Sequence, residues 1–437
     1  MLSLPRALIV LLVVALVGEA RAARLGAYDY PFVDPLVATV VRTPRANAID
    51  LPALIEGQGI RRFHLRGLVD RPPPPVFFYE RHGLPFTLAA QPGPAPLVII
   101  IAGTGGGVDA SITRELATIL HAAGNHVLAL PNPTHISFLV NASTSGVPGR
   151  LEQDTADLYR AIQAALALVR GRIEITRVDL TGYSLGATYA AFLSELDSRE
   201  RAVGFDRVLL LNPAVSVYES MRIVDEMLRV HERADAPGIR RFIEEVLAAF
   251  GEVQAQSDTA VEFAGDFVYR AYAALDLTAV DLEKLIGLAF RLSAANLVFI
   301  ADVLSQGHVL VPEGVELTTT SSLTGYFLEA RRFSFEDYFE RIVLPYHARL
   351  EPGITKASMI ADADLGTIEA HLATTPGIGL LVNEDDFILR PQDLAFLERV
   401  FAGRAAVYPT GGHCGNYRQR DVALRIQAFF RDGSIGH

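Results

Sequence analysis

Continuous runs of apolar, mostly β-branched or aliphatic residues recur along the chain at positions 96–101, 125–130, 178–181, 207–211, 377–382 and around 405–408. A strand with one wet face alternates apolar with polar residues. These runs do not, so each is predicted to be a strand buried on both faces of a sheet. Between them the apolar positions return at helical spacing, over 109–123, 151–169, from Ala187 onward, and over 391–401 and 420–431. Strand and helix in turn predict an α/β fold built on a mostly parallel, doubly wound sheet. Within the segment 151–169, Asp154 and Asp157 stand three apart on one helical face, which reads as a solvated face.

The alternation fails in two places. Residues 23–96 are irregular and proline-rich, with Pro72, Pro73, Pro74 and Pro75 in a row, and predict an arm around the core. In it, 76–80 and 86–89 read as two short edge strands. From Ser216 to Thr374 the pattern is almost wholly helical, with amphipathic stretches near 218–232, 239–250 and 335–350. The long apolar stretch 280–304 is interrupted by Asp281, Glu283, Lys284 and Arg291, so it reads as a core helix rather than a membrane span. Met221 and Met227 read as core. The predicted organisation is a leader over 1–22, an arm with edge strands over 23–96, a core segment over 97–215, a helical cap over 216–375, and a second core segment over 376–437.

The leader follows from Arg6, the apolar run 7–17, and the small residues Ala20 and Ala22 ahead of Ala23. Eleven apolar residues are too few to cross a bilayer, which needs about 20, so the pattern is that of a cleaved export signal, and periplasmic or secreted localisation is expected. At 437 residues and 50% hydrophobic, the chain can bury a large core without covalent staples. It has one cysteine, Cys414, so it cannot form an internal disulfide. Its net charge of −11, with lysine only at Lys284 and Lys356, argues against a nucleic-acid partner. Nothing in the composition calls for a membrane partner.

The chemistry is concentrated where the 178–181 strand ends. Gly182-Tyr183-Ser184-Leu185-Gly186 fits G-x-S-x-G and lies between that strand and an alanine-rich helix start. A serine on such a sharp turn has its hydroxyl lifted above the sheet, and Gly182 and Gly186 remove side chains that would strike neighbouring backbone. The helix amino end favours developing negative charge, so the Leu185 N–H is one expected oxyanion donor. The run Ala102-Gly103-Thr104-Gly105-Gly106-Gly107 lacks the Gly-Lys-Ser/Thr ending of a phosphate loop, and Val108 stands where a dinucleotide fingerprint has its third glycine. It better suits an oxyanion loop, with the N–H of Thr104 or Gly105 as second donor.

Together these features resemble the α/β-hydrolase superfamily over about 76–215 and 376–431. The resemblance rests on the glycine loop, the Ser184 elbow, an acidic residue past a late strand, and His413 in a glycine-rich loop before the last helix. It implies a serine hydrolase with the order serine, acid, histidine. His413, alone of eleven histidines, occupies the position expected of the base, and His135 reads as a polar loop residue. Asp386 matches the acid position, with Asp385 as the alternate and Glu384 facing solvent. Ala102-Gly103 replaces the common His-Gly start of the oxyanion loop.

The leading expectation is cleavage of a carboxylic ester, acyl or lipid-like, with a small-molecule or acyl substrate held against the cap. A peptidase, thioesterase or lactonase would use the same three residues, because all pass through a tetrahedral oxyanion. A binding protein on the same fold is a third reading, which the intact residue set opposes. The mechanism requires no cofactor, and no H-E-x-x-H metal motif is present.

Overall fold

The structure is a computed structural model that describes residues 23–52, 54, 57, 59–255, 272 and 277–435. The expected leader lies outside the described residues. The chain runs β1 (Ala23–Arg24), α1 (Pro35–Val41), β2 (Ile60–Leu65), β3 (Leu84–Ala89), β4 (Ala95–Ile101), α2 (Ser111–Ala122), β5 (His126–Leu130), α3 (Ile136–Asn141), α4 (Leu151–Val169), β6 (Ile175–Tyr183), α5 (Leu185–Glu200) and β7 (Phe205–Leu211). The cap follows, with α6 (Val217–Ala255), α7 (Ala279–Ser305) and several short helices up to Thr374. The core then resumes with β8 (Ile378–Asn383), α8 (Pro391–Val400), β9 (Ala405–Tyr408) and α9 (Arg420–Asp432).

One nine-stranded sheet has the order β1-β9-β8-β7-β6-β4-β5-β3-β2. It is parallel from β1 to β5 in that order, and β3 and β2 add an antiparallel edge. The continuous apolar runs are explained by the layers. In β4, Leu97, Ile99 and Ile101 pack with α4, α5 and α8, whereas Val98 and Ile100 pack on the other face with α2 and α9. Each fully buried side chain of this kind stabilises the fold by about 1.5–3 kcal/mol.

The edge differs from the sequence expectation. Residues Pro75–Glu80 form a 3₁₀ turn instead of a strand, because the proline that opens it has a fixed φ and no N–H to give a ladder. On its outer side β3 pairs with β2, whose Arg61, Arg62 and His64 hid it among polar residues.

Asp154 and Asp157 are a second correction, since both are buried rather than solvated. Asp154 Oδ2 accepts from the Gly149 N–H at 2.8 Å and from the Tyr189 hydroxyl at 3.1 Å. Asp157 accepts from the Thr144 N–H at 2.7 Å. The loop ahead of α4 has backbone donors with no ladder to join, and these carboxylates satisfy them.

In the cap, α7 is long and apolar enough to cross a membrane, yet 78% of its most apolar window is buried inside the protein. Its charges serve the cap. Asp281 forms a capping box with Thr278, and Arg291 pairs with Glu232 of α6 at 3.4 Å. Helix α6 is kinked at Asp235, two residues before Pro237.

Burial pushes Asp154 up to about 7 from 3.8, with the Gly149 donor opposing it. Between those two values the folded chain keeps a proton that the unfolded chain releases, so the group's contribution to stability is full below 3.8 and lost as pH rises through about 7. Relative to Asp154→Asn, the wild type should therefore lose about 2–3 kcal/mol of stability between pH 5 and 8. Urea midpoints of both proteins at the two pH values measure this, and parallel losses would contradict it.

Candidate active site

Ser184 stands between β6 and α5 with φ 56° and ψ −131°, a conformation that side chains rarely adopt. Its own N–H donates to the Leu211 carbonyl at 2.9 Å, tying the turn to β7. The flanking glycines answer to sterics. A Cβ on Gly182 would lie 2.2 Å from the Gly186 carbonyl oxygen, and one on Gly186 would lie 2.3 Å from the carbonyl oxygens of both Ile101 and Ala102. Strand, turn and helix thus meet too closely for any other residue at those two positions.

His413 Nε2 is 2.9 Å from Ser184 Oγ, and its Nδ1 is 3.0 Å from each oxygen of Asp386. A carboxylate can only accept, so Nδ1 carries the proton and Nε2 is left to accept from the serine hydroxyl. Asp386 is held in turn by the Asn212 side-chain amide at 2.8 Å and the Ile388 N–H at 3.2 Å, and Asn212 accepts from the Tyr417 hydroxyl at 3.0 Å. Burial alone would lower the basicity of the His413 ring. The negative charge of Asp386 against Nδ1 more than offsets this and holds the ring well above the ordinary value of 6.5.

Asp385 lies beside this line but outside it. Its carboxylate accepts from the N–H groups of Gly411 at 3.1 Å and Gly412 at 2.8 Å, so it holds the histidine loop and does not meet the ring. Burial, against the pull of those two donors, pushes it up to about 6. Glu384 is exposed and pairs with Arg24 at 2.8 Å. His135 caps α3, with Nδ1 2.7 Å from the Ser137 hydroxyl.

The glycine loop follows β4 and turns back through a Gly106 N–H to Gly103 carbonyl bond of 2.9 Å. Gly105 drops out as an oxyanion donor, because its N–H is given to Thr134 Oγ1 at 2.7 Å. The N–H groups of Thr104 and Leu185 are left without a hydrogen-bond partner among the described residues. Both residues border the cavity that Ser184 and His413 also line. Asn132 fixes the loop by donating to the Ala102 carbonyl at 2.8 Å and accepting from the Thr134 hydroxyl at 2.7 Å.

Two apolar chambers flank Ser184, of about 110 and 80 Å³. They share Thr104, Ser184, Phe290 and His413 as walls. The cap roofs both, with Ile286 and Ala289 of α7 over the first and Val217, Met221 and Val224 of α6 over the second. Among the described residues no cluster of histidine, cysteine, aspartate and glutamate is arranged to hold a metal ion.

The strand order, the strained serine turn after β6, the acid after β8 and the histidine after β9 decide the architecture. The chain has the α/β-hydrolase fold. No family model and no curated protein matches it. It is similar to solved hydrolases at low identity. Carboxyl esterase 2 from Tuber melanosporum shares 14% identity, with 90% of this chain and 92% of that one covered and a TM-score of 0.41. Est1E from Butyrivibrio proteoclasticus shares 12% over 80% and 95% of the two chains, with a TM-score of 0.35. A thioesterase domain from the curacin biosynthetic pathway shares 13% over 80% and 95%, also at 0.35.

Asn212, Tyr417, Asn132 and Thr134 had no role in the sequence reading. The available signal was position. Asn212 directly follows a buried strand, and Asn132 and Thr134 follow another, so an α/β sheet brings them to the edge that carries Ser184.

Asp386 and Asp385 make opposite predictions for the ring. In proton NMR the His413 imidazole should titrate above 6.5 in the wild type and in Asp385→Asn, and at a lower pH in Asp386→Asn. A midpoint unmoved by Asp386→Asn would show that the carboxylate does not govern the ring.

Proposed function

We propose that the chain is an exported serine hydrolase that cleaves a carboxylic ester through an acyl-enzyme on Ser184. The observation that carries this reading is the continuous line from Ser184 Oγ to His413 Nε2 at 2.9 Å and from His413 Nδ1 to Asp386 at 3.0 Å. A serine hydroxyl is a weak nucleophile at neutral pH. In this line its proton passes to Nε2 as Oγ bonds to the ester carbon, and Asp386 stabilises the imidazolium that results.

The carbonyl oxygen of the tetrahedral intermediate takes the negative charge and is met by the N–H groups of Leu185 and Thr104. Collapse breaks the bond to the leaving oxygen, which receives the proton held on Nε2 and departs as an alcohol. Water then attacks the acyl-enzyme, gives its proton to His413, and releases the acid and the free serine. Every step uses groups of this chain and water alone. The second chamber is walled mostly by apolar side chains and favours an uncharged group on that side of the ester, whereas the first, mostly apolar too, also has Arg42, Ser111 and Ser293 in its wall. Thioesters and lactones would pass through the same oxyanion, and their relative rates follow from how they fill those chambers. Export is supported by the sequence of residues 1–22.

A fluorophosphonate should label Ser184 in the wild type and leave Ser184→Ala unlabelled. Hydrolysis of a nitrophenyl ester should fall by about 10⁴-fold or more in Ser184→Ala, and activity in the wild type should rise with pH as His413 loses its proton. A wild type that neither labels nor hydrolyses any ester of a chain-length series would contradict the reading.

A further inference from the structure

The loop that carries His413 has an unusual need. Gly411, Gly412 and His413 present three successive backbone N–H groups, and side chains from distant parts of the chain take all three. Asp385 takes the first two, as described above. The third, the N–H of His413 itself, donates to Thr39 Oγ1 at 2.8 Å. Thr39 lies on α1, in the arm ahead of the sheet, 374 residues away.

The Thr39 hydroxyl is oriented for this contact. It donates its own proton to the Pro35 carbonyl at 2.7 Å, so a lone pair is turned toward His413. The arm meets the loop closely elsewhere. A Cβ on Gly412 would lie 2.2 Å from the Pro35 carbonyl oxygen and 2.5 Å from Thr39 Oγ1, and one on Gly415 would lie 2.2 Å from the Ala38 carbonyl oxygen. The Gly415 carbonyl accepts from the hydroxyls of Tyr30 at 3.2 Å and Thr43 at 3.1 Å, and the Tyr28 hydroxyl donates to the Thr410 carbonyl at 2.7 Å. Helix α1 also packs on the cap, where Val40 joins Leu285 and Ile286 of α7 in one apolar cluster. Thr39 also borders the first chamber beside Ser184.

We propose that the amino-terminal arm is a working part of the site, with Thr39 as a positioning residue that fixes the backbone of His413 and so the reach of Nε2 to Ser184. The proposal rests on the serine-hydrolase reading for its effect on rate. Its physical core does not, because the bond from His413 N–H to Thr39 exists whatever the substrate. A loop with two glycines ahead of the histidine has little stiffness of its own. A displacement of the ring by about 1 Å costs on the order of 100-fold in rate, so an external tie at residue 413 has a direct kinetic consequence. Asp385 holds the same loop from the β8 side, and Thr39 completes the clamp from the arm.

The test compares wild type, Thr39→Val, which keeps the shape and removes the acceptor, and Thr39→Ser, which keeps the acceptor. With a nitrophenyl ester, Thr39→Val should lower kcat by about 10- to 100-fold with KM within about 3-fold, and Thr39→Ser should stay within about 3-fold of wild type in both. Hydrogen exchange followed by mass spectrometry should show the peptide spanning residues 411–415 exchanging about 10-fold faster or more in Thr39→Val, and at the wild-type rate in Thr39→Ser. The proposal is overturned by a Thr39→Val with wild-type kcat and exchange, by equal losses in both variants, or by a change in KM alone, which would make Thr39 only a wall of the chamber. An inert wild type would remove the serine-hydrolase reading, and the exchange comparison would still decide whether Thr39 holds the loop. If Thr39→Val does not fold, Thr39→Ala removes the same acceptor and takes its place in both measurements.

Discussion

A buried carboxylate and an imidazole 3.0 Å apart, the ring open only to the two chambers beside Ser184, impose the main constraint on this structure. A buried carboxylate is costly unless its lone pairs are filled, and Asp386 fills them with His413, the Asn212 amide and the Ile388 N–H. Asn212 is held by its N–H to the Leu381 carbonyl and by the Tyr417 hydroxyl, which donates to its side-chain oxygen and leaves the amide N–H facing Asp386. The pair therefore draws in the ends of β7 and β8 and the loop between β9 and α9, which carries both His413 and Tyr417. Removing one partner would leave a charge or a dipole without solvent, which is why the acid sits inside a network instead of beside a lone ring.

Strain collects around the same place. Ser184, Asn212 and Cys414 all have positive φ, at 56°, 47° and 63°, and each flanks or belongs to the line from serine to acid. Such conformations cost about 1–3 kcal/mol each and persist where the surroundings over-determine them. The surroundings here are rigid. The sheet fixes Ser184 through the Leu211 carbonyl, Gly182 and Gly186 admit the close approach of α5 to β6 and to the end of β4, and the arm presses on the histidine loop from outside. Among the described residues the cap adds no group to the line from Ser184 to Asp386. It contributes apolar walls, and Phe290 of α7 stands where the two chambers meet at Ser184.

Much of this was legible in the sequence, for physical reasons that differ from residue to residue. The strands β4, β8 and β9, and β7 from Val208 to Leu211, were readable because burial on both faces leaves an unbroken apolar run. The elbow was readable because only glycine tolerates the contacts at 182 and 186. Strand β2 was missed because an edge strand can carry arginine and histidine, and the 3₁₀ turn at Pro75–Glu80 was missed because its apolar residues mimic a strand. Asp154 and Asp157 were misread as solvated because helical spacing places them on a face without saying what covers it. The choice of Thr104 over Gly105 is beyond sequence reading, since it depends on Thr134, 29 residues away. Asp386 is the sequence's first choice for the acid, and what the sequence does not show is that its alternate, Asp385, is taken up by the Gly411–Gly412 backbone.

The central claim is that proton transfer along this line makes Ser184 a nucleophile that carries the acyl group. Rapid-quench mass spectrometry of the wild type, mixed with an ester whose acid is bulky enough to slow deacylation, tests it most directly. The account predicts a transient mass increase equal to the acyl group, on the peptide that contains Ser184 and no other. Turnover of the ester with no adduct on that peptide, or with the acyl group on another residue, would contradict it.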